Sequence, residues 1–183
     1  RDYLYRDTRD PAEIFEREIQ ENEWIREHLE PGKQVGEFWV TGEYSYRSNF
    51  CAADGVLLVG DAFAFLDPVF SSGVFLALKT GELAADAIDM ALEKGDTSAG
   101  QFTQYGKDVC ISIERMRKIV YAFYDEDFSF KDLVMKGDDM QSDLTDCLVG
   151  NVDDKDFSSL FAAMSKLAEL PEPIEHGLAK TGP

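Results

Sequence analysis

A short stretch in the middle of the chain carries the residues best suited to bind a polar ligand. Asp61 directly follows an apolar run, Val56 to Val59, and a carboxylate in that place can accept hydrogen bonds from ligand hydroxyls. Ser72-Gly73 then begins a predicted helix, whose first amides have no partner within the helix. Free amides at a helix N-terminus attract anions and stabilise negative charge. The spacing therefore indicates a ligand site shared by an acid and a helix start.

The apolar run predicts the strand that positions this acid. Val56 to Val59 lie between Gly55 and Gly60, and the run is too short and too rich in β-branched residues for a helix. We expect a strand that is buried on both faces within a sheet. Open α/β sheets bind ligands at the carboxyl ends of their strands, where Asp61 would lie.

These residues also form a recognisable pattern. Gly60-Asp61-Ala62, Asp67-Pro68 and Ser71-Ser72-Gly73-Val74 together resemble the second FAD motif of flavin-dependent oxidoreductases related to the halogenases, with geranylgeranyl reductases and aromatic-ring monooxygenases as more distant kin. Tyr44-Ser45-Tyr46-Arg47 resembles the halogenase-like branch. The resemblance implies an α/β fold class, a fragment of an FAD/NAD(P)-binding Rossmann-like fold with a mainly helical C-terminal region.

The resemblance also implies a cofactor, FAD, and the residues that contact it. Gly60 and Asp61 would form the turn in which the carboxylate hydrogen-bonds the sugar-alcohol part of FAD. Pro68 would line the isoalloxazine ring. The amides of Ser72, Gly73 and Val74 would face the N1/O2 edge of the ring, and in a halogenase Ser72 and Gly73 would hold a halide beside it. The resemblance assigns no catalytic residue within this chain.

The length of the chain bounds what it can contain. At 183 residues and 44% hydrophobic it can bury the core of one domain. It starts at Arg1 and has no Gly-x-Gly-x-x-Gly phosphate-binding turn, which the family carries near the start of a longer chain. We expect the C-terminal part of a longer enzyme, inactive alone, with the N-terminal half as its partner. Residues 1–50 would form part of a substrate-facing sheet and the helix before it, 51–125 the second half of the FAD-binding domain, and 126–183 a helical cap with a frayed tail.

Charge and cysteine content exclude several classes of function. The net charge is -18, which disfavours binding to nucleic acid. No run approaches the roughly 20 apolar residues that span a bilayer, so we expect a cytoplasmic protein.

Cys51, Cys110 and Cys147 are odd in number and scattered, and they indicate reduced thiols rather than disulfides or a zinc site. His28 and His176 have no companions at metal-ligand spacing, and we expect a surface residue and an idle one.

Helix signals cover most of the chain. Asp10-Pro11 predicts an N-cap and a first helical residue, and Pro31-Gly32 predicts the end of that helix. A second helix should run from Gly73 to Lys94 with Gly95 as its C-cap, and a third from about Ala99 to Tyr124. The rest predicts short helical pieces followed by a frayed tail: Phe130 to Lys136, Met140 to Val149, Asp156 to Leu170, and the tail Pro171 to Pro183.

Two further strands are predicted before the apolar run. Val35 to Val40 and Glu43 to Ser48 have residue types typical of a hairpin or of a pair of strands that cross between sheets. In the resembled family this region leads toward the FAD-binding sheet, so Tyr44, Tyr46 and Arg47 would border the flavin pocket. In the other interpretation the tyrosines pack on a strand face and Arg47 pairs with a surface acid. Both interpretations stand at this point.

The function that these patterns favour is a halogenase-like, FAD-dependent oxidoreductase that acts on a small-molecule substrate. Halogenation, hydroxylation and double-bond reduction are not distinguished, because the family's other motifs do not occur here. The alternative is a non-catalytic, acidic helical module that binds a protein partner, which the charge and the heptad-like stripe from Phe102 to Phe123 would suit.

Overall fold

The computed structural model describes residues 3–42, 45–149 and 155–181, without the side chain of Asp138. The chain divides into two compact units, Arg1–Glu43 and Tyr44–Pro183. The boundaries predicted at residues 50 and 125 stay predictions.

The first unit contains two short helices where the sequence predicts one. Helix α1, Pro11–Glu21, begins as predicted, with the Asp10 carboxylate accepting hydrogen bonds from the amides of Ala12 and Glu13. Asn22 then ends α1 and caps α2, Glu23–Leu29, by accepting a hydrogen bond from the amide of Ile25 at 3.1 Å. An Asn side chain that competes for backbone amides in this way interrupts the predicted helix.

The predicted strand from Val35 to Val40 is wrong. These residues have no strand partner in the described parts of the chain, and Val35 and Trp39 are 90% and 89% exposed. An alternating pattern makes a strand only where a second edge supplies hydrogen bonds. Of the other predicted strand, Glu43 and Tyr44 lie outside the described residues, and Tyr46 and Arg47 form strand β1, Tyr46–Arg47.

The second unit holds short antiparallel ladders. Strand β1 pairs with β4, Ala64–Phe65, so that Tyr46 lies opposite Phe65 and Arg47 opposite Ala64. Strands β2, Ala52–Ala53, and β3, Val56–Leu57, form a hairpin. Gly55 at its turn has a φ of +69°, a left-handed conformation that favours glycine.

The prediction of a strand buried on both faces at Val56 to Val59 is wrong. Strand β3 is two residues long, and Val56 and Val59 are 54% and 39% exposed. Its only ladder in the described structure is with β2, so its other edge has no strand partner there. A run of apolar residues signals burial but does not supply the neighbouring strands that bury it.

Two long helices form the body of this unit. Helix α3, Gly73–Lys94, ends at Gly95 in a left-handed conformation, as predicted. Helix α4, Thr103–Tyr124, follows a 3₁₀ turn at Ala99–Phe102 and ends where predicted. Three short helices complete the predicted set: α5, Phe130–Val134, α6, Asp138–Val149, and α7, Ser158–Met164.

The core has two parts that share α4. In the first, the amino-terminal part of α4 packs against Leu76 of α3 and against the strand-bearing segments around Cys51 and Phe63. In the second, its carboxyl-terminal part packs with α5 to α7 around Leu133 and Leu160. Helix α4 therefore joins the segment carrying the predicted FAD contacts to the helical C-terminal region.

The tail differs from the frayed end that the sequence predicts. The amide of Gly177 donates to the carbonyl of Asn49 at 3.0 Å, and the amide of Lys180 donates to that of Ala52 at 2.8 Å. His176, predicted to be idle, lies with its Nε2 atom 3.2 Å from the carbonyl oxygen of Arg47. The tail is held by hydrogen bonds to backbone groups that are distant in sequence. The composition of the tail itself does not predict these bonds.

Candidate functional site

Gly60 lets the turn after β3 approach α3 closely. It begins a 3₁₀ turn, Gly60–Ala62, with a φ of +52°, and the residue is buried. A Cβ atom at this position would lie 3.1 Å from the Cβ of Ala77 and 3.3 Å from its Cα. Glycine is required here for its backbone conformation and for the space that its missing side chain leaves.

A buried threonine ties this turn to the helix. The amide of Gly60 donates a hydrogen bond to Oγ1 of Thr80 at 2.9 Å, and that hydroxyl donates to the carbonyl of Leu76 at 2.7 Å. Thr80 is 4% exposed. The turn is therefore fixed to the second turn of α3 by a hydrogen bond that water does not reach.

Asp61 presents its carboxylate outward from this fixed turn. The residue is exposed, and its side chain has no hydrogen bond to the residues that the structure describes. Its backbone carbonyl accepts a hydrogen bond from the hydroxyl of Tyr46, which also stacks on Phe65 with ring centroids 6.4 Å apart. The main chain at Asp61 is thus held while its carboxylate is left to accept bonds from a ligand.

Asp67, by contrast, is used within the fold. Its Oδ1 accepts hydrogen bonds from the amide of Val69 and the hydroxyl of Tyr124, both at 3.0 Å. It caps a 3₁₀ turn, Pro68–Phe70, in which Pro68 is exposed. Ser71 then adopts a left-handed conformation with a φ of 54°, which is uncommon for serine and turns the chain into α3.

The start of α3 has uncapped amides. Ser72 is 6% exposed and occupies the N-cap position, yet no side chain in the described part of the chain caps the helix there. Gly73 and Val74 are exposed, and a Cβ on Gly73 would meet no atom within 4 Å. Because α3 is 22 residues long, its amino end carries the full partial positive charge of a helix terminus.

All six predicted cofactor contacts lie on one segment of 15 residues, from Gly60 to Val74, which ends in the first turn of α3. Two side chains that position this segment, Thr80 and Tyr46, were not recognised in that role from the sequence. Thr80 had a detectable signal, because it is a polar residue on the otherwise apolar buried stripe of Leu76, Ala84 and Ala87. Tyr46 gave no sign of bonding to Asp61, 15 residues away.

Arg47 does not pair with a surface acid. Its side chain is 1% exposed, and Nη1 lies 3.0 Å from Oε1 of Glu114, which is itself 15% exposed. A buried arginine needs several acceptors to offset the loss of hydration. The interpretation in which Arg47 pairs with a surface acid is therefore wrong, because its acidic partner Glu114 is mostly buried.

The three cysteines are free thiols, as predicted. Burial raises the pKa of Cys51 to about 11 and that of Cys147 to about 12, and it also raises the pKa of Cys110.

In the described residues no group of three or more His, Cys, Asp or Glu side chains could hold a metal ion. In those same ranges, no helix has the length and apolar character needed to cross a bilayer.

Comparison with known proteins finds halogenases among the relatives of this chain. No family model matches the chain. It is 31% identical over 112 residues to a 1H-pyrrole-2-carbonyl-peptidyl-carrier-protein chlorinase of Pseudomonas fluorescens, a match that covers 61% of this chain and 25% of the relative. It is 35% identical over 97 residues to the corresponding brominase of Pseudoalteromonas luteoviolacea, covering 52% and 24%. With the flavin-dependent halogenase armH4 of Armillaria mellea it shares 38% identity over 84 residues, covering 45% and 15%.

A solved structure is similar as well. The chain matches the flavin-dependent brominase Bmp2 with a TM-score of 0.69 and 23% identity, over 91% of this chain and 42% of that one. At that identity the likeness shows a shared fold. The chain spans about a quarter or less of the length of the curated relatives it matches. The predicted resemblance to flavin-dependent halogenases is confirmed over part of the chain.

Proposed function

We propose that this chain forms part of an FAD-dependent oxidoreductase of the halogenase kind and holds one side of the flavin. The observation that carries the proposal is the segment from Gly60 to Val74. There the carboxylate of Asp61, which has no partner among the described residues, lies in a turn that is fixed to α3, and no side chain in the same ranges caps the first amides of α3. The three relatives named above, which are flavin-dependent or pyrrole halogenases by name, support it.

The residues present fit FAD. Asp61 would accept a hydrogen bond from a hydroxyl of the sugar-alcohol chain, and Pro68 would border the ring system. The amides of Ser72, Gly73 and Val74 would donate to the polar edge of the ring or to a halide, and the absence of a Cβ at Gly73 leaves room for close approach. FAD supplies the redox chemistry when bound, and these residues hold and orient it.

The finer fold assignment belongs to the same proposal. Residues 51–125 would be the second half of a Rossmann-like FAD-binding domain, completed by chain that these 183 residues do not contain. The fold shared with the brominase over 91% of the chain supports this. The exposed side chains of Val56 and Val59 also suit a strand segment that a larger sheet would cover.

The substrate we propose is a small aromatic group. Two relatives act, by their names, on pyrrole-2-carbonyl groups attached to a peptidyl carrier protein, so a carrier-bound ring is one form this substrate could take. A free small molecule is the other. The acidic, non-catalytic helical module is not favoured, because the relatives are enzymes.

The test is a visible spectrum and an FAD titration of the natural protein that contains these residues. We expect bound flavin, and with an aromatic substrate, a flavin reductant and dioxygen as oxidant the protein should yield halogenated product only when chloride or bromide is also supplied. A folded, colourless protein that takes up no FAD would overturn the proposal. Flavin binding with hydroxylated product and no halide dependence would retain the oxidoreductase and remove the halogenase.

A halide soak tests the proposed anion site separately. Crystals of the natural protein soaked in bromide should show anomalous signal within hydrogen-bond reach of the amides of Ser72 to Val74. Bromide bound only at other positions, with flavin in place, would contradict the halide assignment of Ser72 and Gly73.

A further inference from the structure

The carboxyl-terminal residues 171–181, here called the strap, cross the region that holds β1 and β2. The strap is joined to this region by backbone hydrogen bonds at three places. Besides the bonds of Gly177 and Lys180, the amide of Cys51 donates to the carbonyl of Leu178 at 3.3 Å. These bonds follow the same stretch, residues 49 to 52, from end to end.

Two arginine side chains donate hydrogen bonds to carbonyl groups of the strap. Nη2 of Arg47 donates to the carbonyl of Ile174, and Nη2 of Arg117 donates to that of Glu172. Both guanidinium groups also bind Glu114, at 3.0 Å from Arg47 and 2.8 Å from Arg117. Arg47 and Arg117 are 1% and 11% exposed in their side chains, so these charge-assisted bonds are largely shielded from solvent.

Gly177 lets the strap lie directly on Arg47. Its φ is +110°, and a Cβ atom there would lie 3.1 Å from Nε of Arg47, 3.2 Å from its Cδ and 3.2 Å from Cζ of Phe63. Nε of Arg47 is buried and has no hydrogen-bond partner in the described residues. The fit leaves no room for a side chain at Gly177 without moving Arg47 or the phenyl ring.

Strand β1 connects Arg47 and its hydrogen bond to the strap with the proposed FAD site. Arg47 lies opposite Ala64 in the β1–β4 ladder, and the amide of Ser48 donates to the carbonyl of Phe63 at 2.8 Å. Tyr46, on the exposed face of the same strand, donates to the carbonyl of Asp61. These three consecutive residues thus all contact the segment from 61 to 65, and the middle one, Arg47, also contacts the strap.

We infer that Arg47 is a positioning residue through which the strap holds the Asp61 turn in its ligand-binding geometry. The strap fixes the guanidinium, the guanidinium fixes β1, and β1 fixes the main chain at Asp61 through Tyr46. The inference deepens the proposed function and, for its FAD readout, rests on it. It gives the tail of the chain, which begins 110 residues after Asp61, a part in cofactor binding.

The test compares Gly177→Ala with Glu175→Gln in the natural protein. Glu175 is an exposed strap residue, so its variant serves as the matched control. We expect Gly177→Ala to speed amide hydrogen exchange in residues 60–65 and to weaken FAD binding about tenfold, while the control changes neither. Unchanged exchange in residues 60–65 in a Gly177→Ala protein whose strap amides exchange faster would overturn the inference.

A second variant keeps the result interpretable if Gly177→Ala unfolds the protein. Tyr46→Phe removes the bond to the Asp61 carbonyl and leaves the strap contacts in place. It should loosen FAD with the strap amides still protected, and in a double variant the effects of Tyr46→Phe and Gly177→Ala on FAD affinity should be less than additive. Fully additive effects of the two substitutions on FAD affinity would contradict the inference that the strap acts on the Asp61 turn through β1. An unaltered FAD affinity in Tyr46→Phe would contradict it as well.

The two proposals fail in different ways. A natural protein that binds no FAD removes the proposed function, and the hydrogen exchange of residues 60–65 then decides alone whether the strap holds the turn. A natural protein that binds FAD as tightly after Gly177→Ala as before it keeps the function and removes the positioning role of Arg47.

Discussion

The amide of Gly60 and the hydroxyl of Thr80 are joined by a buried hydrogen bond of 2.9 Å, 20 residues apart in the chain. This bond fixes the turn that carries Asp61 to the helix whose amino end would face the same ligand. The acid and the helix start are therefore parts of one rigid arrangement, and the predictions below depend on it.

Thr80→Val should leave the buried amide of Gly60 without an acceptor. Valine has nearly the same shape, so the main loss is the hydrogen bond, and we expect unfolding free energy to fall by about 1–3 kcal/mol. Thr80→Ser keeps the hydroxyl and should recover most of that loss. Urea denaturation of the three proteins measures both effects. Equal stability of Thr80→Val and the natural protein would show that the bond contributes nothing.

Asp61→Ala should separate ligand binding from folding. The carboxylate makes no bond to the described residues, so its removal should leave the melting temperature nearly unchanged. If it binds a flavin hydroxyl, its loss costs about 1.5–3 kcal/mol, or a ten- to hundredfold weaker FAD affinity, and Asp61→Asn should cost less. Asp86→Ala, which removes an exposed acid from α3, is the charge control. A lower melting temperature with intact FAD affinity would assign Asp61 a purely structural role.

Gly73→Val should remove FAD while leaving the helix. A side chain at Gly73 meets no protein atom within 4 Å, so a loss of binding cannot be traced to a clash within the described fold. We expect FAD affinity to fall by about a hundredfold or more and helix content by circular dichroism to stay the same. Gly81→Val is the matched control, because that glycine lies in the same helix with equally open surroundings.

Ser72→Ala should have a mild effect on FAD affinity. The donor assigned to this residue is its backbone amide, which alanine retains, so the loss is limited to a hydroxyl contact of about 1 kcal/mol. Isothermal titration with FAD measures the change. A loss as large as that of Gly73→Val would place the serine hydroxyl, and not the amides, at the centre of the site.

The thiols should be unreactive in the folded protein at pH 8. Burial raises the pKa of Cys51 to about 11, so at pH 8 only about one part in a thousand is thiolate, and the fraction for Cys147, with a pKa of about 12, is smaller still. A raised pKa keeps these groups neutral until the pH climbs through that value. Titration with a chromogenic disulfide should detect all three cysteines in denaturant and almost none at once in the native state. Rapid native modification of Cys51 or Cys147 would contradict their burial.

Some features of this protein are determined by residues close together in sequence. Asp10-Pro11 starts α1 and Gly95 ends α3 where the sequence places them, because caps are satisfied by backbone groups within a few residues. The pattern from Gly60 to Val74 also predicted the kind of relative that the comparison found, because its residue types recur at fixed spacing within one short segment. The long amphipathic helices follow from periodicity alone.

Tertiary structure decided the rest, because the deciding partners are far away in the chain. The buried guanidinium of Arg47 donates a hydrogen bond to the carbonyl of Ile174, which lies 127 residues away. The residues near Arg47 and those of the tail give no sequence signal of that contact. The run from Val56 to Val59 reads as a buried strand, yet the number of neighbouring strands, which local sequence does not encode, determines how much of it is covered. Hydrophobic pattern sets what a segment can bury, and the other elements packed against it set what it does bury.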